Sequence, residues 1–161
     1  MNKATLKVTR KQRETSIDDL RKTRAALVKV GVLTGMGLHP SSDSATFAEV
    51  AYFIEYGTEN GTQEYAPFRK WLLAKRPEYK GLIESLIKDY ILGKIPLRKV
   101  LSTLGITGQN DLRETMDEME SPANAPSTQE RKGAKVGPGI LVNNPTIDTG
   151  RLKQAISWGA V

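Results

Sequence analysis

The sequence predicts an α+β fold: a small antiparallel sheet packed against several helices that include a helical hairpin. Three observations predict it. Residues 28–33 alternate valine with lysine and glycine, the period-two pattern of a strand. Residues 46–56, 68–91 and 96–119 carry apolar side chains at helical spacing. Gly93 and Pro96 separate the last two runs, which makes those helices antiparallel neighbours joined by a short turn.

The elements follow in order. Residues 1–14 lack periodicity and form a basic N-terminal arm, and residues 15–161 form a single domain. A helix starts at Ser16, which caps it, with Asp18 and Asp19 in the first turn favoured by the helix dipole. The strand at 28–33 ends in a glycine-rich loop, Gly35 to Gly37, that carries His39 and Pro40. In the helix at 46–56, Phe47, Val50, Ala51 and Ile54 share one face, and Gly57 stands where a C-cap glycine belongs. Asn60-Gly61 marks a turn, so 58–66 is a hairpin tip or a surface loop.

Pro67 suits the first turn of a helix beginning near Phe68, with Trp71 and Leu72 as core anchors. Pro77 breaks or kinks that helix, or begins a second one. Leu82, Ile83, Leu86, Ile87, Tyr90 and Ile91 then make a stripe that reads as buried. After Pro96, Leu97, Val100, Leu101 and Leu104 continue the helical pattern. Gly105 and Gly108 interrupt it, and Thr107 caps the continuation that bears Leu112, Met116 and Met119. Residues 121–146 hold four X-Pro pairs and several glycines and read as a long irregular loop or a hairpin completed by a partner. Asp148 caps a short helix bearing Leu152, Ala155 and Ile156, and the last residues form an edge strand beside 28–33.

Composition excludes several function classes. At 161 residues the chain can bury a core without staples, and its 39% hydrophobic content is that of a globular domain. It has no cysteine, which removes disulfides, thiolate nucleophiles and cysteine–zinc sites. No apolar run approaches the roughly 20 residues that cross a bilayer, and no apolar stretch follows the basic N-terminus, so neither a membrane partner nor a secretory signal is expected.

Net charge is +6, and residues 1–30 supply all of it, with nine bases against three acids. Lys3, Lys7, Arg10, Lys11 and Arg13 in the arm, and Arg131, Lys132 and Lys135 in the long loop, are candidate contacts to DNA or to acidic partner surfaces. A solvated arm and a polar helix face are the competing reading.

Catalytic chemistry finds little footing. His39 stands alone, without a nucleophile motif or companion metal ligands. Gly35-Met36-Gly37 completes neither a dinucleotide fingerprint nor a phosphate loop. Asp117, Glu118 and Glu120 read as a solvated helix end. No catalytic, cofactor or metal residue is assigned.

Three local patterns, in this order, resemble one family. The first is Ala51-Tyr52-Phe53-Ile54-Glu55-Tyr56-Gly57-Thr58, followed by Ala66-Pro67-Phe68-Arg69. The second is Asn124-Ala125-Pro126-Ser127-Thr128, then Arg131-Lys132-Gly133. The third is Ile147-Asp148-Thr149-Gly150-Arg151-Leu152, then Ala155-Ile156-Ser157-Trp158. Together they resemble the neck and tail-completion proteins of tailed bacteriophages, including the Mu-type virion morphogenesis group.

The resemblance spans residues 28–161, with Glu55, Gly57, Pro67, Phe68, Asp148 and Gly150 as its structural motif. It departs at Glu64-Tyr65-Ala66, at Thr146 and at Ala155. It implies a structural virion protein at the head–tail junction, assembled in the host cytoplasm and not an enzyme. The subunit would form a sixfold ring between the head connector or portal adaptor and the tail terminator or tube, with genomic DNA passing through the lumen. A DNA-binding accessory or assembly factor is the alternative.

Overall fold

The computed structural model describes residues 21, 23–33, 37–38, 45–59, 61, 63–135, 144 and 150–161. Their elements run β1 (Val28–Val32), α1 (Phe47–Tyr56), α2 (Pro67–Ile91), α3 (Leu97–Asp117), α4 (Pro126–Lys135), α5 (Arg151–Ala155) and β2 (Ile156–Ala160). This is the expected α+β architecture. The basic arm and the Ser16 start of the first helix lie outside the described residues, although Arg21, Thr23 and Arg24 are helical.

β1 and β2 form a two-stranded antiparallel sheet in which Val30 faces Trp158 and Val32 faces Ile156. Leu27 and Val161 extend the ladder by exchanging two hydrogen bonds of 2.9 Å. The C-terminal edge strand expected beside 28–33 is therefore present.

α1 begins at Thr46 with a reciprocal cap. The Glu49 amide donates to Thr46 Oγ1 at 3.2 Å, and the Thr46 amide donates to Glu49 Oε2 at 2.7 Å. Two amides that no helical carbonyl reaches are satisfied in this way. Gly57, at φ 74°, ends the helix as the sequence suggests. Residues 63–66 are a connection with no strand, exposed at Gln63 and Glu64 and turning inward to the buried Ala66.

α2 and α3 form the expected hairpin, joined by residues 92–96. Lys70 Nζ donates to the Ser121 carbonyl at 2.8 Å, and the Tyr79 hydroxyl donates to Asp111 at 2.6 Å. The first bond ties the start of α2 to the chain just past the end of α3, and the second joins the middle of α2 to α3.

Several expectations are corrected. α2 runs through Pro77 as one helix of 25 residues. Proline removes one backbone donor and orphans the carbonyl of Leu73, but Leu73 is 71% exposed, so water can satisfy that oxygen. α3 likewise passes through Gly105 and Gly108 without interruption, and Thr107 caps nothing. The two glycines serve packing instead. A Cβ at Gly105 would lie 2.3 Å from the Trp158 ring, and one at Gly108 would lie 3.1 Å from Val30 Cγ2. They let the sheet settle directly onto the helix backbone.

The stripe from Leu82 to Ile91 is only half buried, with Ile83 43% exposed. The sheet meets α3 at Gly105 and Gly108, so the tip of the hairpin projects past its cover. Leu72, expected as a core anchor, is also more than half exposed. The segment 121–146 is not wholly irregular, because ten of its residues form α4. Pro126 stands at its first position, where the missing amide costs nothing. Gly150, at φ 71°, stands immediately before α5, and the expected cap residue Asp148 lies outside the described residues.

The core gathers Ala51, Leu112, Met116, Leu152 and Ile156, with Val30, Val32, Phe47, Phe68 and Trp71 packed around it. It thus joins α1, α3, α5 and the sheet, and draws on the first turns of α2.

Candidate partner-binding groove

The first turn of α2 is held by a buried carboxylate. Glu55 is 5% exposed on α1, four residues after the core residue Ala51. Its Oε2 accepts the Phe68 amide at 2.9 Å and its Oε1 accepts the Arg69 amide at 3.2 Å. Arg69 Nε returns to Oε1 at 2.8 Å, and Arg69 Nη2 reaches the Glu55 carbonyl and Glu64. A negative charge at a helix N-terminus is favoured by the dipole and by its free amides. The hydrogen bond that Arg69 donates to Glu55 raises the pKa of its guanidinium. Ala66 enters the turn at φ 54°, in the left-handed region, so the bend into Pro67 is imposed by this clasp. Glu55, Gly57, Pro67 and Phe68 are therefore one structural corner.

Beyond that corner, β1 and α2 stand apart over α3. Between them lies an apolar hollow of about 890 Å³, with Val28 and Val30 on one wall, Trp71, Leu72 and Ile83 on the other, and Leu104 among its lining residues. A second hollow of about 420 Å³ shares Val30, Trp71 and Leu72 and reaches Val32, Tyr52 and Tyr56. Together they make one groove along β1. Trp71 anchors it: its Nε1 donates to the Tyr79 oxygen at 2.8 Å, and that hydroxyl donates onward to Asp111. Burial and the Asp111 carboxylate both push the Tyr79 pKa up, so the phenol stays protonated and keeps donating. Arg76 and Lys80 stand on the α2 wall of this groove.

A polar cleft of about 630 Å³ lies across the molecule, lined by Arg113, Glu114, Asp117 and Lys153 among others. Arg113 Nη2 donates to the Ile156 carbonyl at 2.8 Å, and Lys153 Nζ donates to Asp117 Oδ1 at 2.7 Å. Its two cations and two carboxylates balance, so it selects no ion of either sign. Among the described residues, no group of three or more histidines and carboxylates is placed to hold a metal. No described helix is long and apolar enough to cross a membrane.

The proposed phosphate contacts fare unequally. Lys3, Lys7, Arg10, Lys11 and Arg13 lie outside the described residues, as does His39. Arg131 is exposed on α4. Lys135 ends that helix. Lys132 is only 4% exposed, and its Nζ donates to the Asn144 carbonyl at 2.6 Å. Asn144 is buried too and donates from Nδ2 to the carbonyls of Met116 and Asp117, at the end of α3. Lys132 is thus a strut in a buried polar knot, and an open phosphate contact is not its role in this fold.

Sequence reasoning assigned Glu55 to a motif without giving it a task. The signal was there, since a carboxylate four residues from Ala51 must turn inward. The groove had no such signal, because it depends on the gap between β1 and α2. No family model, no curated protein and no solved structure matches this chain.

Proposed function

We propose that this chain is a structural subunit at the head–tail junction of a tailed-phage particle. It assembles with copies of itself into a ring that joins the head connector to the tail and lets DNA pass, and it carries out no reaction. The observation that carries this reading is the co-location of its motif residues. Glu55 and the Phe68-Arg69 pair, separated in sequence, meet in one clasp that sets the angle between α1 and α2. The element order supports it too: a strand, a helix ending in Glu-x-Gly-Thr, a Pro-Phe helix paired with the next, and a Gly-Arg helix leading into the last strand.

Exposed apolar surface points the same way. Leu72, Leu73, Tyr52 and Tyr56 are each more than half exposed on the adjoining α1 and α2, apolar surface that a neighbouring subunit would cover. Ring contacts run head to tail, so each subunit must offer two different complementary faces.

The test is genetic. Removing the gene should leave DNA-filled heads and separate tails that fail to join. Normal yields of joined particles would refute the reading. Salt-sensitive DNA binding by the isolated chain, with particles unaffected, would favour an accessory DNA-binding role.

A further inference from the structure

The two edges of the small sheet are treated differently. Hydrogen-bonded positions alternate along an antiparallel ladder. Leu27 exchanges both bonds with Val161, so Lys29 and Gly31 also turn their backbone groups toward β2. The amides and carbonyls of Val28, Val30 and Val32 then face the opposite edge. No hydrogen bond joins them to another described residue. On β2, by contrast, the Ile156 carbonyl is covered twice, by Gln109 Nε2 at 2.7 Å and by Arg113 Nη2 at 2.8 Å. Open edges are usually blunted because they invite pairing. Here one edge is shielded in part by side chains of α3, and the other has no hydrogen-bond partner among the described residues and runs along an apolar groove.

That groove has the chemistry of a strand acceptor. A strand added to β1 would lie about 4.8 Å from it. Side chains at alternate positions would then enter the hollow lined by Trp71, Leu72 and Ile83. Main-chain bonds supply affinity in such additions, and the pockets supply specificity. A helix could occupy the hollow but could not pair with the valine edge. Arg76 and Lys80 add a sign. Both are exposed on the α2 wall, near the Val28 end, and neither forms an ion pair within the described fold. Among the residues that line the groove, Glu84 is the one acid. Among the described residues outside the helices, no run combines alternating apolar side chains with a side-chain carboxylate, so the described part of a second copy offers no such segment.

We propose that β1 is a docking edge for a different protein. An extended segment of that partner, apolar at alternate positions and carrying a carboxylate at one end, adds to Val28–Val32 as a third strand. Its carboxylate faces Arg76 and Lys80. This stands on the groove alone and holds whether or not the chain forms a ring.

The test uses the full chain and a display library of random peptides about ten residues long, enough to span one strand. Enriched peptides should alternate apolar residues and carry Asp or Glu near one end. The double variant Arg76→Glu, Lys80→Glu, at two exposed positions, should weaken their binding by about tenfold or more. N-methylation of every second peptide amide in one phase should abolish binding, and in the other phase should spare it. Bound peptide should slow hydrogen exchange at the Val28, Val30 and Val32 amides. No enrichment, enrichment of peptides with helical spacing, or indifference to N-methylation would overturn the proposal. Protection of those three amides that grows with the concentration of the chain alone would also overturn it, because a second copy would then be the occupant.

Discussion

The Glu55 carboxylate accepts the backbone amide of Phe68 at 2.9 Å, across thirteen residues and from a different helix. This bond turns a side chain of α1 into the N-cap that α2 otherwise lacks, since Ala66 offers no side-chain acceptor. Glu55→Ala leaves two amides at the α2 start without their acceptor, and Arg69 without its buried carboxylate partner. Losing a cap and a charged acceptor should lower stability by about 2 kcal/mol. Glu55→Gln keeps an acceptor oxygen and should cost about half as much. Urea unfolding of the three proteins checks the order.

Gly105 gives the sharpest steric prediction. Alanine is a better helix former than glycine by about 1 kcal/mol. Its Cβ at 105 would nonetheless lie 2.3 Å from two atoms of the Trp158 ring. Gly105→Ala should therefore destabilise by about 1–3 kcal/mol. Gly81, in α2, has nothing within 4 Å of where its Cβ would stand. Gly81→Ala should raise stability by about 0.5–1 kcal/mol. Thermal melts of the pair should move in opposite directions.

Lys132 and Arg131 are neighbours in sequence with different fates. Lys132→Ala removes the ammonium from the buried Asn144 carbonyl and should cost about 1–3 kcal/mol. Arg131→Ala, on the exposed side of α4, should change stability by less than about 0.5 kcal/mol. Denaturant titration separates them. Equal effects would mean that the Lys132–Asn144 bond contributes nothing.

The α1 cap should respond to acid. Hydrogen bonds from the Thr46 amide and hydroxyl lower the Glu49 pKa below its usual 4.5. A depressed carboxylate pKa contributes stability that is full above the unfolded value and is lost as pH falls through the folded one. The carboxyl carbon shift of Glu49, followed by NMR from pH 6 downward, should therefore titrate below that usual 4.5. Thr46→Ala removes the hydroxyl donor but keeps the backbone amide, so it should move the titration only part of the way back.

Much of this fold is legible from local pattern. Period-two valines mark β1, Gly57 marks the end of α1, and Pro67 marks the start of α2. Each signal is local and acts within a few residues. The failures share a cause. Gly105, Gly108 and Pro77 are helix breakers by propensity, yet Trp158, Val30 and the solvent-facing Leu73 decide their fate from elsewhere in the chain. α4 escaped notice because its apolar face is nearly absent; its sequence is Pro-Ser-Thr-Gln-Glu-Arg-Lys-Gly-Ala-Lys. Burial of the Leu82 to Ile91 stripe required a cover that the two-stranded sheet is too short to give. The groove itself is a space between elements, and no residue pattern announces a space.

The central claim is that the chain is a ring subunit at the head–tail junction. Cryo-electron microscopy of intact tailed particles made from the genome that encodes it is the most direct measurement. The account predicts a closed ring of density at the neck into which the α2–α3 hairpin and the β1–β2 sheet fit in repeated copies. Purified, infectious particles that lack the chain, with neck density accounted for by other proteins, would contradict it.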